Sequence, residues 1–230
     1  MKHIAIVPAR SNSKRLRNKN VLEINKKPLI AYTIERALLW GDFDAIYINS
    51  EDDNILKIGE KYGAITYKRP IDLAFDTAKV IDVIKEQIHS MCLADDTIIT
   101  ILLPTCPLRT TDDLKAAYSL FVNNHRHNPV VSVTKYEKSP SQSFVINVKG
   151  HLVPLYPESY SSRSQDNRDA YRYNCGIIIT TVGLFMGQDD IVGISSIPYV
   201  MPFYRSIDID YDYQVPLVEM ILRNQEKEVH

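Results

Sequence analysis

Two short stretches concentrate groups able to handle a phosphate. The first, "ARSNSKRLRNKN" (9–20), puts Arg10, Lys14, Arg15, Arg17 and Lys19 into one loop directly after the apolar run "HIAIVPA" (3–9). Arginine offers a forked donor for phosphate oxygens and lysine a mobile point charge. In open α/β sheets, ligands sit beyond the carboxyl ends of strands, where backbone N–H groups at a helix start face an anion. The residue types match neither GxxxxGK[ST] nor GxGxxG, so neither a P-loop nor a dinucleotide fingerprint is present. A triphosphate cradle and a solvated surface loop both remain open on these residues alone.

The second stretch is "SIDIDYDYQ" (206–214). On an extended chain Asp208, Asp210 and Asp212 share one face, and Ile207 and Ile209 take the opposite one. Carboxylates this close repel unless a cation sits among them, and hard oxygen ligands beside phosphate suit Mg²⁺. This assigns Asp208 and Asp210 to a metal and Asp212 to a helix cap, against the alternative of a solvated edge strand. A third stretch, "LLPTCPLRTTDDL" (102–114), ends a strand in a rigid Pro-Thr-Cys-Pro turn and carries Arg109 over its carboxyl end. Asp112 and Asp113 belong in the next helix's first turn as dipole-compatible caps rather than catalysts. Cys106 reads as a small packed residue. The six histidines show no ligand spacing, and no Ser/His/Asp arrangement is visible.

The elements that must position these groups follow a βαβα rhythm. Strands are expected at 3–9, 44–50, 64–70, 97–104 and 129–135. Helices are expected at 27–40, at 52–63 closed by Gly63, at 76–91 capped by Asp76 or Thr77, and at 110–124. "TIITILLP" (97–104) is almost wholly apolar, as a strand buried on both faces requires. The pattern predicts an α/β fold with a mostly parallel sheet covered by helices on both sides. Between 136 and 172 the rhythm breaks: "FVINVKGHLVPL" reads as a hairpin turned near Gly150, followed by a polar loop too long for an ordinary connection. The segment is expected to be an excursion from a main domain formed by 1–135 and 173–230, and to dock on something, a second subunit included. Strands return at 174–181 and in "ISSIPYVM" (194–201), and "SIDID" is expected to be a strand edge running into a terminal helix.

Composition narrows the function classes. With 27 Lys and Arg against 28 Asp and Glu, the net charge of −1 argues against a general nucleic-acid binder, and basic charge concentrated in one loop suits a specific anionic ligand. No apolar run approaches a membrane span, and the N-terminal run is too short for a signal peptide. Cys92, Cys106 and Cys175 form no CxxC pair, which points to a reducing cytoplasm.

Taken in order, these segments resemble the CMP-sialic acid synthetase (acylneuraminate cytidylyltransferase) family. "IAIVPARSNSKRLRNKN" is similar to its opening signature and "KRPIDLAFDTA" to its RP…LA.DTA segment. "LLPTCPLRTTDDL" is similar to LQPTSPLRT, "SRSQ…YRYNCGI" to R.Q…YR.NG, and "SIDID" to the metal-binding strand. The resemblance implies a Rossmann-like three-layer domain that binds CTP, with an excursion that forms a homodimer and completes the neighbour's sugar site. Carried over, Arg10 and Lys19 contact the triphosphate, with Asn12, Ser13 and Lys14 shaping the same loop, while Arg15 and Arg17 are expected to face solvent. Asn20, Arg69 and Ala78 line the cytosine and ribose pocket. Leu103, Thr105, Arg109, Arg163, Gln165 and Arg172 fall on the sugar acid or partner side, and Asp208 and Asp210 hold Mg²⁺. The implied reaction couples CTP to a nine-carbon 2-keto sugar acid. Alternatives are an octulosonate cytidylyltransferase, another sugar nucleotidyltransferase, or a non-catalytic nucleotide-binding module. Leu103 stands where the family commonly has Gln, Gln142 where some members have Lys, and Glu51 where Asp is common. These differences leave the acid open among sialic, legionaminic and pseudaminic types.

Overall fold

The computed structural model describes residues 1–75, 78–160, 168–193 and 195–227. In chain order the strands are β1 (His3–Pro8), β2 (Glu23–Ile24), β3 (Lys27–Pro28), β4 (Ala45–Ser50), β5 (Ile65–Lys68), β6 (Ile98–Ile101), β7 (Val130–Lys135), β8 (Phe144–Ile146), β9 (Leu152–Pro154), β10 (Tyr171–Thr181) and β11 (Ile197–Val200). The helices are α1 (Leu29–Trp40), α2 (Asp53–Lys61), α3 (Val80–Ser90), α4 (Thr111–Asn123), α5 (Pro157–Tyr160), α6 (Val182–Met186) and α7 (Gln214–Lys227).

Seven strands form one sheet in the order β11-β7-β10-β6-β1-β4-β5. All neighbours pair parallel except β10, which runs antiparallel to both β6 and β7. Strand alternation splits the core into the two layers expected of a three-layer α/β fold. From β1, Ala5 and Val7 pack with α1, α2 and α4 through Ile34, Ile55 and Phe121. Ile4 and Ile6 turn to the other face and meet α3 and α6 through Ile84 and Phe185. Each strand residue of β1 and β6 is buried because helices cover both faces, which is why these segments read as nearly unbroken apolar runs.

Helix ends follow local chemistry. Asp52 caps α2 by accepting from Ile55 N at 2.9 Å. Thr110 and Asp113 form a reciprocal capping box at α4, as anticipated for Asp113. α3 begins at Val80, later than its expected start at 76, and the anticipated caps Asp76 and Thr77 lie outside the described residues. The excursion contains the expected hairpin, β8 against β9, turned at Gly150 with φ +79°. Its base is closed where Tyr136 N donates to Ala170 O (2.9 Å) and Lys135 pairs with Asp169 (2.6 Å).

One element differs from expectation. Residues 206–210 pair with no strand, and Ser206 closes a 3₁₀ turn, so "SIDID" is not a sheet edge. It is tied to the sheet region where Ile209 N donates to Thr105 O at 2.8 Å and where Asn174 Nδ2 of β10 donates to Ser206 Oγ at 2.8 Å. Ile207 and Ile209 do turn inward as the alternation requires, packing with Ile24, Leu29, Leu108, Val218 and Leu222 in a third core cluster beneath α7.

Candidate functional site

The basic loop leaves β1 at the carboxyl edge of the sheet and is tied down at both ends. Ala9 N donates to Asn49 O (2.9 Å), and Asn20 Nδ2 donates to Arg10 O (2.8 Å). Asn18 takes a left-handed conformation (φ 54°) that turns the chain into a short 3₁₀ segment, Lys19–Val21. Midway, Glu51 at the end of β4 accepts from Ser11 N (2.7 Å) and Ser11 Oγ (2.8 Å) through one carboxylate oxygen. Through the other it accepts from Arg69 Nε (2.9 Å) and Nη2. Both side chains are nearly fully buried, at 6% and 4% exposure. Burial alone would raise the Glu51 carboxyl, but the Ser11 N–H and the Arg69 guanidinium hold it below its ordinary value.

The loop, the strand ends and the segment before α3 enclose a cavity of about 360 Å³. Arg10, Ser13, Lys19, Asn20, Arg69, Ala78, Leu103 and Thr105 all line it, so residues from four separated sequence stretches meet in one place. Its remaining wall is apolar and cationic, with Leu73, Phe75, Val80 and Val83 beside Lys79. A concave site with a few convergent cationic groups on an apolar wall suits a small anionic ligand with an aromatic part.

The aspartate segment reaches the rim of this cavity. Lys19 Nζ, which lines it, donates to Asp210 Oδ1 at 2.8 Å, and Arg15 Nη1 donates to Asp210 Oδ2 at 2.7 Å. Burial pulls the Asp210 carboxyl up, but Lys19 and then Arg15 bring it below its usual value. Arg15 also lies 5.5 Å from the centre of the Tyr211 ring. It is thus tied to the site while remaining largely open to water; among the loop cations only Arg10, Lys19 and Lys14 were expected to serve the site, with Arg15 and Arg17 left to solvent. Gln214 Oε1 accepts from both Asp210 N (2.7 Å) and Tyr211 N (2.8 Å), fixing the turn into α7. Asp212 was expected as a helix cap, but its carboxylate accepts from the adjacent Tyr213 N (2.8 Å) and not from a backbone N–H of the first turn of α7, so it is a turn contact and not an N-cap.

Asp208 is held differently. Its Oδ1 is buried without a hydrogen-bond partner. Burial, then Asp208, pushes the Cys175 thiol well up. Upstream, Ser206 Oγ is bonded by Asn174 Nδ2 at 2.8 Å, and Asn174 Oδ1 accepts from Ser132 Oγ at 2.6 Å. Among the described residues no group of three or more His, Cys, Asp or Glu is placed to hold a metal. Mg²⁺ does not require one beside phosphates, since it is commonly held by one or two carboxylates plus phosphate oxygens and water. An orphaned buried carboxylate oxygen beside a second carboxylate fits that donor set.

Other expected residues sit elsewhere. Arg109 is not on the substrate side: it is 1% exposed, donates to Leu103 O (2.8 Å), Gly176 O and Thr33 Oγ1, and lines no part of the cavity. A guanidinium surrounded by backbone and hydroxyl acceptors clamps the turn after β6 to β10 and α1, which corrects its reading as a sugar contact. Arg172 lies 6.0 Å from the Phe203 ring and does not line the cavity. Asn12 and Lys14 are exposed on the loop outside the cavity lining. Arg163 and Gln165 lie outside the described residues. Cys106 is fully buried, with its thiol pushed up to about 12 by burial, as a packed residue should be. The residues whose positioning work sequence reasoning missed are Asn174, Ser206 and Gln214, small or neutral polar groups with no spacing signal of their own.

Comparison with known proteins agrees with this geometry. The sequence profile of the cytidylyltransferase family matches residues 4–150. The chain is 33% identical over 229 residues to the N-acylneuraminate cytidylyltransferase of Escherichia coli O18:K1:H7, covering 98% of this chain and 54% of that protein. It is 32% identical over 213 residues to the pseudaminic acid cytidylyltransferase of Campylobacter jejuni serotype O:2, covering 91% of each. The chain therefore spans about half the length of the first relative and nearly all of the second. Among solved structures, CMP:2-keto-3-deoxy-manno-octonic acid synthetase complexed with CTP superposes with a TM-score of 0.74 at 15% identity, covering 98% of this chain and 100% of that one. At that identity the likeness concerns the fold.

Proposed function

This chain belongs to the cytidylyltransferase family, and on that premise we propose that it joins CTP to a nine-carbon 2-keto sugar acid, giving a CMP-sugar and pyrophosphate. The observation that carries the proposal is the Lys19–Asp210 pair, which brings the cationic loop and the carboxylate segment, 191 residues apart, to one cavity rim. Relatives named for both sialic-type and pseudaminic acids, at about one-third identity, support the substrate class without choosing the acid.

The anomeric hydroxyl attacks the α-phosphorus of CTP, and the bond to the bridging oxygen breaks as pyrophosphate leaves. Positioning and charge neutralisation carry such transfers more than covalent catalysis does. Arg10 and Lys19 neutralise the leaving phosphates. The Glu51 ion pair fixes the Arg69 side chain, with Asn20 and Ala78, along the wall assigned to base and ribose. Asp208 and Asp210 are the groups that would hold Mg²⁺, which when bound offsets phosphate charge and acidifies the attacking hydroxyl. Before nucleotide enters, Lys19 and Arg15 neutralise Asp210, so the same cations are in place to turn toward the triphosphate.

The excursion supplies a homodimer contact in this proposal. Ile146, Val148 and Leu152 on the β8–β9 hairpin are 73%, 104% and 67% exposed. A two-stranded hairpin is marginal alone, and contiguous exposed apolar surface marks an interface. Three free cysteines fit a reducing compartment, and we place the protein in the cytoplasm; no described helix is long and apolar enough to cross a membrane. Purified protein with CTP, Mg²⁺ and a panel of sialic, legionaminic and pseudaminic acids should release pyrophosphate with at least one of them. Silence across the panel contradicts the proposal.

A further inference from the structure

Of the described residues lining the cavity, Phe75 carries the one aromatic ring, and the phosphate chemistry gives it no part. The side chain is 62% exposed. Scattered exposed apolar residues are ordinary on a protein surface, and Ile71 in the same segment is 66% exposed yet lies outside the cavity lining. Phe75 differs in its place. It lines a concave site whose other walls hold the cations Arg10, Lys19 and Arg69, so its apolar ring meets whatever those cations bind.

The segment that presents the ring is short and tied at both ends. It leaves β5 at Arg69, whose N donates to Ser50 O at 3.1 Å and whose guanidinium is held by Glu51. Ile71–Ala74 then form one 3₁₀ turn, with Leu73 N donating to Pro70 O at 3.1 Å. Beyond it, Ala78 N donates to Phe75 O at 3.0 Å on the way into α3. A ring carried on so few residues between two fixed points is placed before a ligand arrives, which lowers the entropic cost of binding.

We infer that Phe75 is a base-stacking residue: its ring supplies one face of the base pocket and covers the pyrimidine of the bound nucleotide. Arg69 and Ala78 line the wall assigned to base and ribose, and Phe75 lies between them in sequence on the same cavity. A pyrimidine offers hydrogen bonds at its edge, while its faces are left to apolar or aromatic neighbours. Stacking on an aromatic side chain serves any base, so Phe75 adds affinity for the nucleoside and leaves the choice of cytosine to polar contacts at the ring edge. Covering an exposed ring with a base also removes apolar surface from water on both partners. The inference rests on the reading of the cavity as the CTP site.

The test is isothermal titration calorimetry of the full chain with Mg²⁺ and no sugar acid, so that no turnover contributes. Two probes are used: CTP, and inorganic tripolyphosphate, which has the phosphates without the base. Phe75→Ala should bind CTP about tenfold more weakly, bind tripolyphosphate within about twofold of the parent, and melt like the parent because the ring is exposed. Phe75→Tyr, which keeps a ring, should bind CTP within about twofold of the parent, and so should Ile71→Ala. Unchanged CTP affinity in Phe75→Ala, an equal loss for both probes, or an equal loss in Ile71→Ala overturns the stacking role. A tyrosine variant as weak as alanine overturns it too. If the parent binds no CTP, the nucleotide reading itself falls, and the role of Phe75 with it.

Discussion

Glu51→Gln is the perturbation that most sharply probes how the cationic loop is held. In the parent, one carboxylate oxygen takes two donors from Ser11 and the other takes two from Arg69. A glutamine can keep one oxygen as acceptor, but its NH₂ group then faces donors on the other side. The charge is also gone, leaving a guanidinium at 4% exposure without its counterion. Removing one partner of a buried pair costs about 3–5 kcal/mol, a large share of a typical domain stability of about 5–15 kcal/mol. Urea unfolding at neutral pH should show that loss. Because Ser11 lies in the loop and Arg69 in the cavity wall, KM for CTP should rise by about tenfold, or about 1.4 kcal/mol. The pH dependence has a definite sign. The folded-state pKa of Glu51 lies below the ordinary 4.5, so its stabilisation is present above 4.5 and is lost as pH falls through the folded value. The difference in stability between parent and variant should therefore shrink on acidification below 4.5. A variant within about 1 kcal/mol of the parent, with unchanged KM for CTP, would refute the role of Glu51 in holding Ser11 and Arg69.

Three other outcomes follow from the same structure. Arg109→Lys loses the fork that serves three acceptors and should destabilise by about 2 kcal/mol, while the folded enzyme's KM for the sugar acid changes little; a selective rise in that KM would restore a substrate role. His3 is 4% exposed, and burial lowers its pKa from 6.5 despite the nearby Asp42 and Asp44 carboxylates, so the unfolded chain binds the proton first. Melting temperature should therefore fall as pH drops below 6.5, and His3→Gln should flatten that part of the curve. Paired Ile146→Asp and Leu152→Asp changes on the hairpin should convert a dimer to a monomer in light scattering without lowering the melting temperature of the main domain; a persistent dimer places the interface elsewhere.

Much of this arrangement was legible in the sequence because two-sided burial leaves a strong trace. β1 and β6 read as apolar runs, Asp113 as a first-turn cap of α4, and the hairpin as a turn at Gly150. The collinear motif matches assign Arg10, Lys19, Asn20 and Arg69 to one nucleotide site, and all four line the cavity. What failed depended on tertiary choices that local pattern does not encode. Alternating Asp and Ile at 206–210 is a strand pattern, yet the segment finds no partner strand and is fixed by Thr105, Ser206 and Gln214 contacts instead. Arg109 carries a charge and so looked like a ligand contact, although its acceptors are carbonyls and a hydroxyl inside the fold. Arg15 was assigned to solvent because nothing along the chain announces that Asp210 will lie 2.7 Å from it. The antiparallel course of β10 and its bulge were equally invisible, since orientation within a sheet leaves no mark on residue periodicity.

The central claim is that the cationic loop and the aspartate segment together direct attack on the α-phosphorus of CTP. Phosphorus-31 NMR of the purified chain with CTP, Mg²⁺ and the accepted sugar acid tests it most directly. One new phosphodiester resonance coupled to the sugar should appear with pyrophosphate in equal amount, and both should be abolished in Asp208→Asn and Lys19→Ala. Release of orthophosphate in place of pyrophosphate, or full product formation by those variants, would contradict it.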